Sequence, residues 1–201
     1  YGGVMILVRN NIHSQVFNCQ NIHLTSLPDV SFIAVQIHIS DKIFTIANIY
    51  ILPTTSVLLH HMEILLHESH KLDILTGDFN AHSPLWGNPN YNTLGLLLEQ
   101  AYLNFNIFSL INTGEHTRIG KNSSSAVDLT FCCRKLALNC NWQVFPDLSG
   151  SDHLPTLTKM HYNFNLQSGT THSTDIPCIL QDVNIKQKAR LYFSFYYSRP
   201  A

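Results

Sequence analysis

Three acids in this chain of 201 residues stand where a carboxylate could do chemistry: Asp78, Asp128 and Asp152. Asp78 closes a short apolar run and belongs to the string Gly77-Asp78-Phe79-Asn80. Side chains alternate faces along a strand, so Asp78 and Asn80 would point one way and Phe79 the other, into packing. The same string also reads as a turn that ends a strand, because Gly, Asp and Asn all favour turns. Asp128 interrupts the apolar stretch 126–132 (AVDLTFC), where an acid is expensive to bury unless hydrogen-bonded or charge-paired. Asp152 sits in the polar knot Gly150-Ser151-Asp152-His153 ahead of Pro155. Asp128 could instead cap a turn, and Ser151-Asp152-His153 could be a capped loop. If the strand ends converge, they bring together carboxylates, one imidazole and one amide. That inventory suits metal-assisted hydrolysis of a phosphoester. Carboxylates hold Mg2+, which prefers oxygen ligands, an Asp can deprotonate a water, and an Asp-paired His can carry positive charge. An amide N–H can stabilise the charge that develops on phosphorus oxygens.

The elements that must position these groups follow from apolar spacing. Residues 3–9 (GVMILVR) form a continuous apolar run and predict a buried strand; residues 21–26 predict another. In 32–39 Ile33, Val35, Ile37 and Ile39 share a face opposite Gln36 and His38, and 43–51 answers after a turn at Asp41-Lys42. Together these predict an antiparallel meander with one polar face, ended by Pro53. Residues 54–71 change to helical spacing, with Val57, Leu58, Met62, Leu65 and Leu66 as the stripe and Thr54, Thr55 or Ser56 as the cap. A strand at 74–76 feeds Asp78. A helix follows at 93–104, then a short strand at 107–110, a polar loop at 112–125, and strands at 126–132, 141–145 and 156–162. Beyond residue 162 no periodicity persists, and the aromatic cluster at 192–197 has no evident place. The expected organisation is therefore a domain over 1–162 and an irregular or linking tail over 163–201.

Composition narrows the class. Apolar residues are 45% and charged residues 12%, a globular balance. No apolar run approaches the roughly 18 residues of a membrane span. A net charge of −1 with 12 Lys and Arg gives no basic block of the kind that usually marks a nucleic-acid face. The 12 histidines are scattered apart from His60, His61, His67 and His70, which decorate one helix without an acid or thiol to complete a metal site. Five cysteines, odd in number and lacking a C-x-x-C pair, read as reduced thiols of an intracellular protein.

The stretches GDFNAHSPLWG, SSAVDLTF and GSDHLP, with GGVMILVRN and ANIYILP before them, occur in the order found in the endonuclease/exonuclease/phosphatase superfamily. More closely, residues 2–162 resemble the apurinic-endonuclease-like domain of insect-type non-LTR retrotransposons. The resemblance implies an α/β (α+β) fold: a four-layer sandwich of two facing mixed β-sheets flanked by helices. It also implies roles. Asp78 would activate the attacking water, and Asn80 would help hold phosphate or metal. Asp152 would serve Mg2+ or protonate the leaving oxygen. His153 would contact the scissile phosphate, positioned by Asp128, and Tyr50 would approach the same phosphate. The implied reaction is hydrolysis of one DNA phosphodiester bond in the nucleus, with Mg2+ or Mn2+. The 3′-hydroxyl left behind would prime copying of the element RNA by an attached reverse transcriptase.

The sequence also departs from the family pattern. Strands bearing an Asn and the main metal-binding Glu precede the GGV segment in the family, whereas here the first acid is Asp29. The expectation is a domain lacking its first strands, with weakened Mg2+ binding through Asp78 and Asp152 and poor nicking as it stands. Two alternatives accompany the endonuclease reading. One is an inactive retrotransposon relic. The other is a phosphoesterase of the same fold that acts on a small or lipid phosphoester.

Overall fold

The computed structural model describes residues 3–18, 29–39, 41–54, 56–146, 151–165, 171–182 and 188–193, with side chains described as far as residue 161. The strand expected at 21–26 and the part of the aromatic cluster at 194–197 lie outside the described residues. The chain opens with β1 (Gly3–Val8) and β2 (Ser14–Val16), then the long strands β3 (Val30–Ile39) and β4 (Lys42–Ile51). Helix α1 (Leu59–Glu68) leads to β5 (Ile74–Asp78), and α2 (Thr93–Phe105) leads to β6 (Phe108–Leu110). A small hairpin, β7 (Arg118–Ile119) and β8 (Ser124–Ser125), lies within the polar loop and precedes β9 (Asp128–Cys133). The short helix α3 (Arg134–Ala137) then leads to β10 (Cys140–Val144). Three more strands follow: β11 (Thr156–Asn165), β12 (Thr171–Asp182) and β13 (Lys188–Phe193).

Two mixed sheets result. One has the order β2-β3-β4-β5-β9-β6 and the other β1-β13-β12-β11-β10. β4 and β5 run parallel, joined by α1 as a crossover, while β5 and β9 run antiparallel. The stretch without side-chain periodicity beyond residue 162 thus includes strands of the second sheet. They pair through backbone ladders, which a face pattern in the sequence does not report.

The six-stranded sheet is covered on both faces. Ala34, Ala47, Ile49, Leu75, Leu129 and Phe131 pack with Met62, Leu65 and Leu66 of α1 and Leu94, Leu98 and Ala101 of α2. On the opposite face Val35, Ile37, Phe44, Ile46, Ile74 and Cys132 pack with Met160 of β11 and Ile6 and Val8 of β1. So the meander does not present one polar face: Phe32 and Ala34 alternate with Val35 and Ile37, and both sets meet a layer. Among the described residues the layers are helices, sheet and sheet, three of the four layers that the expected sandwich would have.

The start of α1 differs from expectation too. Its cap is Leu58, and His61 Nδ1 accepts the Leu58 amide at 3.0 Å, so the helix begins beyond the hydroxyls of Thr54 and Ser56. Two glycines are required by close approach. A Cβ on Gly77 (φ +147°) would lie 1.9 Å from Ile49 O on the neighbouring strand, and one on Gly95 would lie 1.7 Å from His82 O.

Candidate active site

The face of the six-stranded sheet turned toward the second sheet changes character along its strands. Val35, Ile46, Ile74 and Cys132 lie in register as a buried apolar row. Two residues along each strand, Asn48, Thr76 and Thr130 form a buried polar row, with the two threonine hydroxyls 2.9 Å apart. Two residues further, Tyr50, Asp78 and Asp128 stand side by side. Period-two alternation therefore delivers Asp78 and Asp128 to one face as direct cross-strand partners.

Asn80 reaches the site by another route than strand alternation. β5 ends at Asp78, Phe79 packs fully into the helix-side core, and Asn80 turns with φ 47°. Its backbone N–H donates to Asp78 Oδ1 at 2.9 Å, and its Nδ2 donates to Asp78 Oδ2 at 3.2 Å and to Ile51 O at 2.9 Å. Both readings of Gly-Asp-x-Asn hold at once: the string ends a strand in a turn, and the turn builds the site. The amide hydrogens of Asn80 face Asp78 and the β4 terminus, so it orients the carboxylate.

The segment after Asn80 clamps this turn to its neighbours. Asn92 caps α2 through Gly95 N at 2.8 Å, accepts His82 N at 2.9 Å, and donates to Asn80 O at 2.7 Å. Trp86, buried against the core, donates its indole N–H to Ala81 O at 2.9 Å. Asn88 grips the backbone of Ala126 at both ends, Nδ2 to O at 2.7 Å and Oδ1 from N at 3.0 Å. Thr117 Oγ1 accepts the amides of Val127 and Asp128 at 3.3 and 3.1 Å, while its carbonyl accepts Leu154 N at 2.6 Å. These side chains register Asp78, Asp128 and His153 against one another. Nothing in their own segments singles them out, since Asn and Thr in polar loops are ordinary.

His153 is buried and lies between the two acids. Its Nδ1 donates to Asp128 Oδ2 at 2.8 Å, and its Nε2 is 4.0 Å from Asp78 Oδ2. Ser151 Oγ accepts the His153 backbone amide at 3.0 Å. Burial pushes the Asp78 carboxyl up, the facing Asp128 adds to this, and the outcome is a pKa of about 7. Burial opposes charge on His153, but the carboxylates of Asp128, Asp78 and Asp152 outweigh it and raise its pKa to about 9. Near neutral pH the imidazole is therefore cationic while Asp78 is poised between its two forms. Burial and Asp78 raise the Tyr50 phenol, against an opposing pull from Arg118, so Tyr50 stays a neutral hydroxyl donor beside Asp78.

Asp152 is adjacent in sequence to His153 but turns outward. Its carboxylate is 59% exposed and accepts Arg118 Nε at 3.1 Å, and Arg118 with His153 holds its pKa below the usual value despite partial burial. So the structure brings Asp78, Asn80, Asp128 and His153 together, sets Tyr50 in register with them, and leaves Asp152 on the rim. Among the described residues, no three His, Cys, Asp or Glu side chains come together as a metal site. Asp78 is buried and accepts from Asn80, whereas Asp152 is exposed and accepts from Arg118, so the pair expected for Mg2+ is divided between the interior and the rim. By donor set, the described residues alone do not fit that ion.

The family model described as Endonuclease-reverse transcriptase matches residues 44–157, a span that contains every residue of the cluster. The chain belongs to this family. It is 27% identical over 131 residues to the RNA-directed DNA polymerase from mobile element jockey of Drosophila melanogaster, covering 63% of this chain and 14% of that protein. The chain thus spans a small part of the curated relative it matches. Among solved structures, the endonuclease domain of TRAS1, a telomere-specific non-LTR retrotransposon, superposes with a TM-score of 0.60 at 21% identity, covering 75% of this chain and 67% of that one. That likeness establishes a shared fold. The resemblance expected from the motifs is therefore borne out at the level of the endonuclease-reverse transcriptase family.

Proposed function

We propose that this domain hydrolyses a DNA phosphodiester bond, nicking one strand so that a reverse transcriptase acting in the nucleus can prime from the 3′-hydroxyl. The observation that carries the reading is His153 held between Asp128 at 2.8 Å and Asp78 at 4.0 Å, with Asp78 tuned to about 7 and His153 to about 9. Those values suit a base and an acid that work together near neutral pH. In its ionised form, Asp78 takes a proton from a water whose oxygen bonds to phosphorus as the bond to the 3′-oxygen breaks. The His153 imidazolium donates through Nε2 to the phosphate and supplies the proton for the leaving oxygen. Asp128 fixes the ring through Nδ1, Asn80 aims the Asp78 carboxylate, and Tyr50 offers a neutral hydroxyl to the phosphate. Arg118 keeps Asp152 ionised at neutral pH, so Asp152 is not the acid in this scheme.

A second reading, an inactive relic of such a domain, is favoured by one observation: the described carboxylates do not assemble a metal-ligand set. Nicking of supercoiled plasmid separates the two. The hydrolysis reading expects relaxation of plasmid by the parent chain, with Asp78→Asn and His153→Ala each slowing it by about two orders of magnitude or more. No relaxation by the parent chain, or equal relaxation by both variants, would leave the relic reading.

A further inference from the structure

The catalytic scheme leaves one cation of the site without a task. Arg118 opens β7 and forms a backbone bridge with His153. On either side of that bridge, Leu154 N donates to Thr117 O at 2.6 Å and Ile119 N donates to Asp152 O at 2.7 Å. Arg118 is thus pinned directly opposite the site histidine, on a hairpin whose other strand leads into Asp128. Its side chain is 47% exposed and engages Asp152 through Nε at 3.1 Å. The guanidinium charge also reaches inward: it lowers both the Asp78 carboxyl and the Tyr50 phenol against the effects that raise them, and it helps to push His82 down.

An incoming phosphodiester carries a negative charge and must approach Asp78, Asp128 and Asp152. Electrostatically this is unfavourable unless a cation meets it. His153 is tied to Asp128 through Nδ1 and has only Nε2 for the scissile phosphate, whereas the Arg118–Asp152 pair lies at the surface, where ion pairs are weak and exchange readily. A guanidinium also presents a planar fork that matches two phosphate oxygens at once. We propose that Arg118 binds a DNA phosphate at the site, and that Asp152 parks its guanidinium there until the DNA displaces it. Asp152 is then a positioning residue that competes with substrate. The inference rests on the phosphodiester reading for its substrate but is measured separately from hydrolysis.

The test measures binding of the whole chain to a short labelled DNA duplex in EDTA as NaCl is varied, for the parent, Arg118→Gln, Arg118→Lys and Asp152→Asn. Loss of one phosphate contact should reduce the slope of log affinity against log salt by about one in Arg118→Gln, and weaken binding at low salt roughly tenfold. Arg118→Lys should restore the slope with incomplete affinity, because the charge returns without the fork. Asp152→Asn should tighten binding with the slope kept. Unchanged slope in Arg118→Gln, weakening in Asp152→Asn, or no salt-dependent binding by the parent would each overturn the proposal. Matching thermal midpoints for Arg118→Lys and the parent exclude a folding defect as the cause. If the parent binds as expected but never nicks, hydrolysis fails and this inference stands. If it nicks and Arg118→Gln binds like the parent, only this inference fails.

Discussion

At the scale of the residue, the site is a place where the fold is held against its own electrostatics. Asp78 is buried opposite Asp128, and its pKa rises from 3.8 to about 7. The folded chain therefore binds that proton more tightly than the unfolded chain does. Stability from this group is fully present below the unfolded value and is lost as pH rises toward about 7. His153 acts in the same direction. Its folded pKa of about 9 lies above 6.5, so its contribution is complete below 6.5 and disappears as pH rises through about 9. Replacing Asp78 with Asn removes the buried charge and the repulsion from Asp128. The thermal midpoint of Asp78→Asn relative to the parent should accordingly rise between about pH 4 and about pH 7 in calorimetry. A relative midpoint that stays flat or falls with pH would show that Asp78 ionises at no cost to the fold. Loss of stability on ionisation is the usual accompaniment of a group kept for chemistry.

At the scale of the element, the β5 terminus, the α2 start and the β9 start are locked by side chains that touch backbone. Asn88 is the clearest case. It is 2% exposed, and its amide both donates to and accepts from Ala126, two residues before Asp128. Asn88→Ala would leave a buried carbonyl and a buried N–H unpaired, and should cost about 1–3 kcal/mol in unfolding free energy. Because the loss frees the approach to Asp128, the rate of nicking should fall more than the apparent affinity for DNA. Denaturant unfolding and steady-state nicking check both halves. A variant as stable as the parent would mean that water replaces the clamp. Such clamps explain what the sequence hid: Asn88, Asn92 and Thr117 are ordinary loop residues until the backbones they grip come together.

At the scale of the whole molecule, legibility followed periodicity. β3, β4, β5, α2 and β9 were readable because their apolar spacing reports packing on one face or both, and their bounds shifted by only a residue or two. The site was readable as an ordered set of motifs, since Asp78, Asn80, Asp128 and His153 are short-range signals that a long-range pairing of β5 with β9 unites. What the sequence concealed depends on context outside a residue's own segment. Gln36 and His38 suggested a polar face, yet Phe32 and Ala34 on that same face meet the helices. Thr54–Ser56 offered hydroxyl caps, yet His61 serves the start of α1 through its ring. Asp152 beside His153 suggested a shared role, yet Arg118, across the hairpin, turns it to the rim.

The layering has a functional consequence as well. The apolar row of Ile46, Ile74 and Cys132 closes the sandwich, the row of Asn48, Thr76 and Thr130 grades it, and the row of Tyr50, Asp78 and Asp128 makes the end where we propose hydrolysis takes place. In the proposed hydrolysis, Asp78 serves there as a base of pKa about 7 coupled to His153 as an acid of pKa about 9. The pH dependence of plasmid nicking under single-turnover conditions tests it most directly. The rate should rise as Asp78 ionises through about 7 and fall as His153 loses its proton through about 9. In Asp128→Asn the falling limb should move to lower pH, because the carboxylate that raises His153 is gone. A profile without a falling limb, or one that Asp128→Asn leaves in place, would contradict the assignment of His153 as the acid.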